Sequence, residues 1–197
     1  MELTTKTTEG QEYADYLIRN QQSFRSTILQ LPYRLHMKSL KLGKTLDIGC
    51  GAGRNLRALN PASMGIDHNH LLVEACKSFG FNAMTTNAFL ETKNHFLGHF
   101  DSILLSHVAE HMPPEVFVQL LRDYRPFLRP GGRIIVLCPQ ERGYASDPTH
   151  VYFMDFEEIS KSLKVAGFIP SKHYSFPFPR SVGTRFAHNE FVVIGTA

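Results

Sequence analysis

Residues Thr45 to Asn55 read TLDIGCGAGRN, and a second acid, Asp67, closes the segment SMGID twenty residues after Asp47. Gly49, Gly51 and Gly53 give a turn whose backbone can approach a ligand closely and take φ > 0, where a side chain would clash. The backbone around Cys50 and Arg54 belongs to the same turn. An ionised carboxylate at Asp67 can accept from both hydroxyls of a ribose diol. Together the two features point to a nucleoside-containing ligand. Two details separate this turn from the dinucleotide fingerprint G-x-G-x-x-G. The third glycine comes one residue early, with Arg54 in its place, and Asp47 stands two residues before the first glycine. A carboxylate there repels a pyrophosphate but attracts an ammonium.

Three histidines follow in settings suited to proton transfer. SHVAEHM carries His107 and His111, and DPTHV carries His150. A histidine can be poised near neutral pH, so His150, His111 and His107, in that order, are the candidate bases or acceptor anchors. His107-Val-Ala-Glu110-His111 also fits the H-x-x-E-H spacing of a zinc peptidase. Pro113-Pro114 follow at once and deny it the long helix that such a site needs. No metal is therefore expected.

The acid, the glycines, the second acid and the later LRPGG turn (Leu128 to Gly132) give the chain its resemblance. From about Thr45 onward it resembles the class I S-adenosylmethionine-dependent methyltransferases, in particular the small-molecule, type 11-like members. The resemblance implies S-adenosyl-L-methionine as cofactor and S-adenosyl-L-homocysteine as product. It implies cofactor contacts from Asp47, Gly49, Cys50, Gly51, Gly53, Arg54, Asp67 and His68. Further contacts are implied from Asn87 with Ala88 near the adenine, and from Ser106 and His107 after strand four. Asn87 stands where the family often has an acid, but its carbonyl can accept from an adenine N6–H₂. The implied reaction is methyl transfer to a small organic acceptor. An RNA or protein acceptor is one alternative, and a catalytically idle cofactor-binding protein is another.

These residues need elements to hold them. Strand signals at 45–48, 63–66, 81–84, 101–105 and 133–138 alternate with helical stripes, which implies right-handed crossovers and a parallel sheet covered on both faces. Two last strands, 172–176 and 191–195, have no helix between them, so the final one is expected to lie antiparallel. The expected fold is an α/β, Rossmann-like three-layer sandwich with a seven-stranded, mostly parallel sheet. Residues 11–31 read as a helix ended by Pro32, and 33–40 as a second, short one. The expected organisation is a single domain over 1–197, with a helical cap over 1–43 and the cofactor-binding core over 44–197.

At 197 residues, 43% apolar and 20% charged, the chain has the composition of one ordinary globular domain. Its net charge of +3 is mild and its basic residues are dispersed, so nothing demands a nucleic-acid partner. No signal segment or membrane span is legible, and a small-molecule acceptor is the expected partner. The three cysteines form no C-x-x-C pair, which fits reduced thiols in the cytoplasm.

Overall fold

The computed structural model describes residue 15 and residues 30–197. Among them, seven strands form one sheet in the order β3-β2-β1-β4-β5-β7-β6. They are β1 (Thr45–Ile48), β2 (Met64–Asp67), β3 (Ala83–Thr85), β4 (Phe100–Ser106), β5 (Leu128–Pro139), β6 (Ile169–Phe176) and β7 (Glu190–Thr196). β3, β2, β1, β4 and β5 pair in parallel, whereas β7 runs antiparallel to both β5 and β6. The expected antiparallel final strand is present.

The alternation of side chains along each strand explains the two covered faces. Leu46, Ile48, Ile103, Leu105, Ile134, Val136 and Val193 share one core. It is closed by Phe89 of α3 (Thr86–Thr92), by Phe117 and Leu121 of α4 (Pro114–Tyr124), and by Ile159 and Leu163 of α6 (Phe156–Val165). The intervening residues Leu104, Ile135, Leu137, Val192 and Ile194 face the other way, against Met37 of α1 (Leu31–Ser39). Val73 and Cys76 of α2 (His70–Ser78) pack on Cys50, Leu56 and Ala83. Each fully buried Leu or Ile contributes roughly 1.5–3 kcal/mol relative to an exposed one, so the central strands anchor the sheet.

Local signals set most boundaries. Asn69 caps α2 by accepting from Leu71 N–H, and Asp155 caps α6 by accepting from Glu157 and Glu158 N–H. The chain departs from expectation at four places. Pro32 lies in the first turn of α1, where its missing N–H costs nothing, and so opens a helix instead of ending one. The remainder of the expected 11–31 helix, apart from Asp15, Gln30 and Leu31, lies outside the described residues. The segment 54–58 after the glycine turn, which reads from the sequence as a short helix, is only a 3₁₀ turn, Leu56–Ala58. The LRPGG turn is absorbed into β5, whose register on β4 shifts between Phe100 and Ser102. A last short helix, α5 (Glu141–Tyr144), follows β5 without a clear signal in the sequence.

Candidate functional site

All parallel strands end on the same side of the sheet, which is where open α/β sheets place ligand-contacting groups. The glycine turn leaves β1 there and is pinned to β2, since Gly49 N–H and Cys50 N–H both donate to the carbonyl of Ile66, at 2.9 and 3.1 Å. Gly49, Gly51 and Gly53 all have positive φ, at 69°, 55° and 88°. Side chains have no room at two of them. A Cβ on Gly49 would come within 2.7 Å of Val108, and one on Gly53 within 2.7 Å of Phe81.

Both acids are beside this turn and buried. Asp67 accepts from Gly51 N–H through Oδ2 and from Asn69 N–H through Oδ1, each at 2.9 Å. One lone pair on each oxygen remains for a ligand. Asp47 differs: it is fully buried, and neither carboxylate oxygen has a hydrogen-bond partner. Burial pushes its carboxyl up to about 7, with a further push from Asp67, against the pull of the nearby Asn55 amide and Arg54 guanidinium. An orphaned buried carboxylate calls for a cation.

The other expected contacts divide. Arg54 donates from Nη2 to Ser106 Oγ at 3.1 Å, which ties the turn to the end of β4. His68 is half-exposed, with Nδ1 3.5 Å from Asp67 Oδ1. Cys50 offers only backbone, because its thiol is packed 4.0 Å from that of Cys76, and this pairing together with burial keeps it protonated. Asn87 is exposed on α3, and the cap of that helix is Thr85, whose Oγ1 accepts from Ala88 N–H at 3.3 Å. The main-chain donor of Ala88 is thus engaged within the protein.

The three histidines converge around Glu110. His107, at the end of β4, adopts a left-handed backbone with φ 59°. This swings its ring between two carboxylates: Nδ1 lies 3.2 Å from Glu110 Oε1 and Nε2 lies 2.7 Å from Glu190 Oε1. Burial alone lowers the pKa of His107, but Glu190 and Glu110 outweigh it and raise it to about 9. His107 therefore carries its proton at neutral pH, and both ring nitrogens are engaged. That sets it apart from the other two candidate bases: it stands as a partly exposed positive charge between two buried carboxylates.

His111 and His150 stand differently. The His111 and His150 rings are 5.0 Å apart. Nδ1–H of His150 donates to the Tyr144 carbonyl at 2.8 Å, and Nδ1–H of His111 donates to the Thr149 carbonyl at 3.1 Å. A carbonyl only accepts, so the proton sits on Nδ1 in both rings. Thr149 Oγ1, 3.3 Å from His111 Nδ1, supports this: its own hydrogen goes to Asp147 Oδ1 at 2.7 Å. Each ring consequently keeps a bare lone pair on Nε2 when neutral. His150 Nε2 lies 3.9 Å from Glu110 Oε1. One donor atom from each of Glu110, His111 and His150 lies within 4.8 Å of the other two.

Glu110 and Glu190 are not among the candidates that the sequence marks. Glu110 is completely buried, and neither of its oxygens closes a hydrogen bond of good geometry. Burial opposes its charge, but His107 holds its pKa below the usual carboxylate value. Its signal lies inside the H-x-x-E-H run. Glu190 opens β7, opposite Pro139 and Phe176, and no local pattern marks it. Arg180 is paired with Glu141.

Comparison with known proteins is consistent with this geometry. A family model described as a methyltransferase domain matches residues 46–134. No curated protein matches the chain. The fold is similar to that of a SAM-dependent methyltransferase from Archaeoglobus fulgidus at 20% identity, with a TM-score of 0.65 over 89% of this chain and 100% of that one. It is also similar to magnesium protoporphyrin IX methyltransferase from Synechocystis PCC 6803 with bound SAH, at 16% identity and a TM-score of 0.67 over 96% of each chain. A putative methyltransferase in complex with the Haloferax volcanii Trm112 activator gives a TM-score of 0.67 at 14% identity, over 94% of this chain and 96% of that one. Among the described residues, no helix is long and apolar enough to cross a membrane.

Proposed function

We propose that the chain is a class I S-adenosylmethionine-dependent methyltransferase, in keeping with the methyltransferase-domain match over residues 46–134, and that it methylates a small organic acceptor held between the glycine turn and the His111–His150–Glu110 cluster. The cofactor chemistry fits the residues. The orphaned, buried Asp47 carboxylate suits the α-ammonium of S-adenosylmethionine, and the glycine turn leaves room for close approach. A pyrophosphate would meet an uncompensated carboxylate there. Asp67 has the lone pairs to take a ribose diol. The sulfonium supplies an already activated methyl group, so the protein's work is positioning and exclusion of water.

The observation that carries the acceptor reading is the pair of bare Nε2 lone pairs beside a buried glutamate. With no ion between them, His111 and His150 are the groups able to take a proton from a hydroxyl or acidic carbon. His107 is hydrogen-bonded to Glu190 and supplies Glu110 with a nearby positive charge, but closes no hydrogen bond with it. The net charge of +3 and the dispersal of basic residues along the sequence speak against RNA. The same reading takes 1–197 as one domain, with 1–43 as an N-terminal helical cap, and assigns the protein to the cytoplasm, in keeping with free thiols at Cys50, Cys76 and Cys138.

The test is release of S-adenosylhomocysteine with labelled cofactor and a panel of small hydroxyl, amine and thiol metabolites, beside total RNA and protein. Acceptor-dependent release with a small molecule supports the reading. Transfer only to RNA or protein overturns it, and cofactor binding without any transfer favours an idle binding protein.

A further inference from the structure

We propose that Glu110, His111 and His150 form a binding site for a divalent first-row transition ion of the Zn²⁺ class. The sequence pattern suggests zinc only through His107 and His111 on one helix, which the prolines forbid. The fold assembles a different set. His111 and Glu110 come from the 3₁₀ turn Ala109–His111 after β4, and His150 comes from the loop between α5 and α6.

Three features mark the set as built for a cation. First, two imidazoles and one carboxylate are the donor set of open, catalytic zinc sites and of other two-histidine, one-carboxylate centres. Second, both histidines are oriented in the way metal ligands are. Each donates Nδ1–H to a main-chain carbonyl, which leaves Nε2 as the ligand atom. Behind His111 the arrangement extends further: Thr149 is itself fixed, since both its N–H and its hydroxyl donate to Asp147 Oδ1, at 2.9 and 2.7 Å. Third, Glu110 is wholly buried with unsatisfied oxygens. A buried charge without full hydrogen bonding is costly, and an ion offsets that cost.

The three donor atoms lie within 4.8 Å of one another. Zn²⁺ bonds of about 2.0–2.2 Å require ligand atoms roughly 3.3 Å apart, so small side-chain rotations close the site. A second buried carboxylate, Glu190, lies on the far side of the His107 ring from Glu110. Imidazole ligands select against Mg²⁺ and Ca²⁺, which take oxygen. Three protein ligands leave at least one position open.

An acceptor hydroxyl in that position loses its proton to water more readily, because the ion lowers its pKa. Methyl transfer then forms the oxygen–carbon bond and breaks the sulfur–carbon bond of the sulfonium, which leaves a neutral thioether. The two Nε2 lone pairs are ligands in this state, so the ion takes over from a histidine base. Only this last role rests on the small-acceptor reading; binding of the ion does not.

The experiment uses the full chain, freed of metal by dialysis against chelator and titrated with Zn²⁺ in competition with a chromophoric chelator. Co²⁺ serves as a spectroscopic probe and Mg²⁺ as a control. The expected result is one equivalent of Zn²⁺, visible-region cobalt bands of a low-symmetry site, and no response to Mg²⁺. His111→Ala and His150→Ala should each abolish tight binding. Thr149→Val, which removes only support for His111, should weaken it roughly 10–100-fold. Unchanged S-adenosylmethionine affinity in each variant shows that the fold is kept. His95→Ala, at an exposed position of the 3₁₀ turn Lys93–Phe96, should bind normally. A wild-type chain that takes up neither Zn²⁺ nor Co²⁺ overturns the proposal, as does uptake that survives both histidine substitutions. Failure of the small-acceptor reading appears separately, as absence of acceptor-dependent S-adenosylhomocysteine release with and without metal.

Discussion

The two halves of the site are made in opposite ways. The proposed cofactor side lies within one strand-turn-strand stretch, from Asp47 to Asp67, and its parts are neighbours in sequence. The proposed acceptor side gathers His107, Glu110 and His111 after β4, His150 from the loop between α5 and α6, and Glu190 from the start of β7. The first half depends on backbone shape and two acids. The second depends on three distant segments meeting, and on charges that stabilise one another only when they do meet. A fold of this kind can therefore keep its cofactor turn while the acceptor side changes by loop substitution.

The most severe challenge to this division is to remove a histidine from the acceptor side. His150→Ala and His111→Ala should each lower turnover by roughly 10²–10⁴-fold, the usual contribution of a positioned acid or base group. Cofactor affinity, measured by calorimetry on the same variants, should stay the same. A matching loss of cofactor affinity would mean that the two halves are not separable.

His107→Ala tests whether the second half is held by its charges. It leaves Glu110 and Glu190 buried without their cation, which should cost about 3–5 kcal/mol in a denaturant titration. The pH dependence follows the same pair. His107 has a folded pKa of about 9, above the ordinary 6.5. Its stabilising contribution is therefore complete below about 6.5 and is lost as pH rises towards 9. Glu110 is lowered, so its contribution is complete above the ordinary carboxylate value and is lost as the pH falls below it. Wild-type stability should decline from about pH 6.5 to about 9, and that slope should be much reduced in His107→Ala.

On the cofactor side, Asp67→Ala should weaken S-adenosylmethionine binding by roughly 1.5–3 kcal/mol without unfolding the chain, through loss of charge-assisted hydrogen bonds. NAD should not bind. Asp47 gives a pH test of this half. Its folded pKa is raised to about 7, so only above that value is it fully ionised for an ammonium. Cofactor affinity should rise by up to about tenfold per pH unit below about 7 and level off above it. An Asp47→Asn variant that keeps the same pH profile would assign the effect elsewhere. The smallest effect belongs to a residue in neither half: Asp155→Ala should cost about 1 kcal/mol of stability through loss of the α6 cap and leave both binding and turnover unchanged.

Much of the cofactor half is legible in the residues alone. Glycines that take φ > 0, an acid in each of two short strands and a capping Asn69 are local signals, and each stands in the fold where its residue type places it. The antiparallel β7 is legible from a missing helix. The departures have local causes too. Pro32 reads as a stop, although proline also suits the first turn of a helix. Asn87 has the side chain of a cap, although Thr85 holds that position. The acceptor half is harder to read. His107 looks like its two companions in the sequence, yet it is the histidine that keeps its proton, because Glu190, 83 residues away, lies 2.7 Å from its ring.

The amino-acid sequence alone specifies the alternation of strands and helices, the glycine turn and the pair of acids, because periodicity, backbone freedom and capping act over a few residues. Which histidine is charged, which two keep a bare Nε2, and that Glu110 faces them without a hydrogen-bond partner are settled by contacts between distant segments. Protonation and ligation depend on distances between those segments, and the distances exist only once β4, β5 and β7 lie side by side.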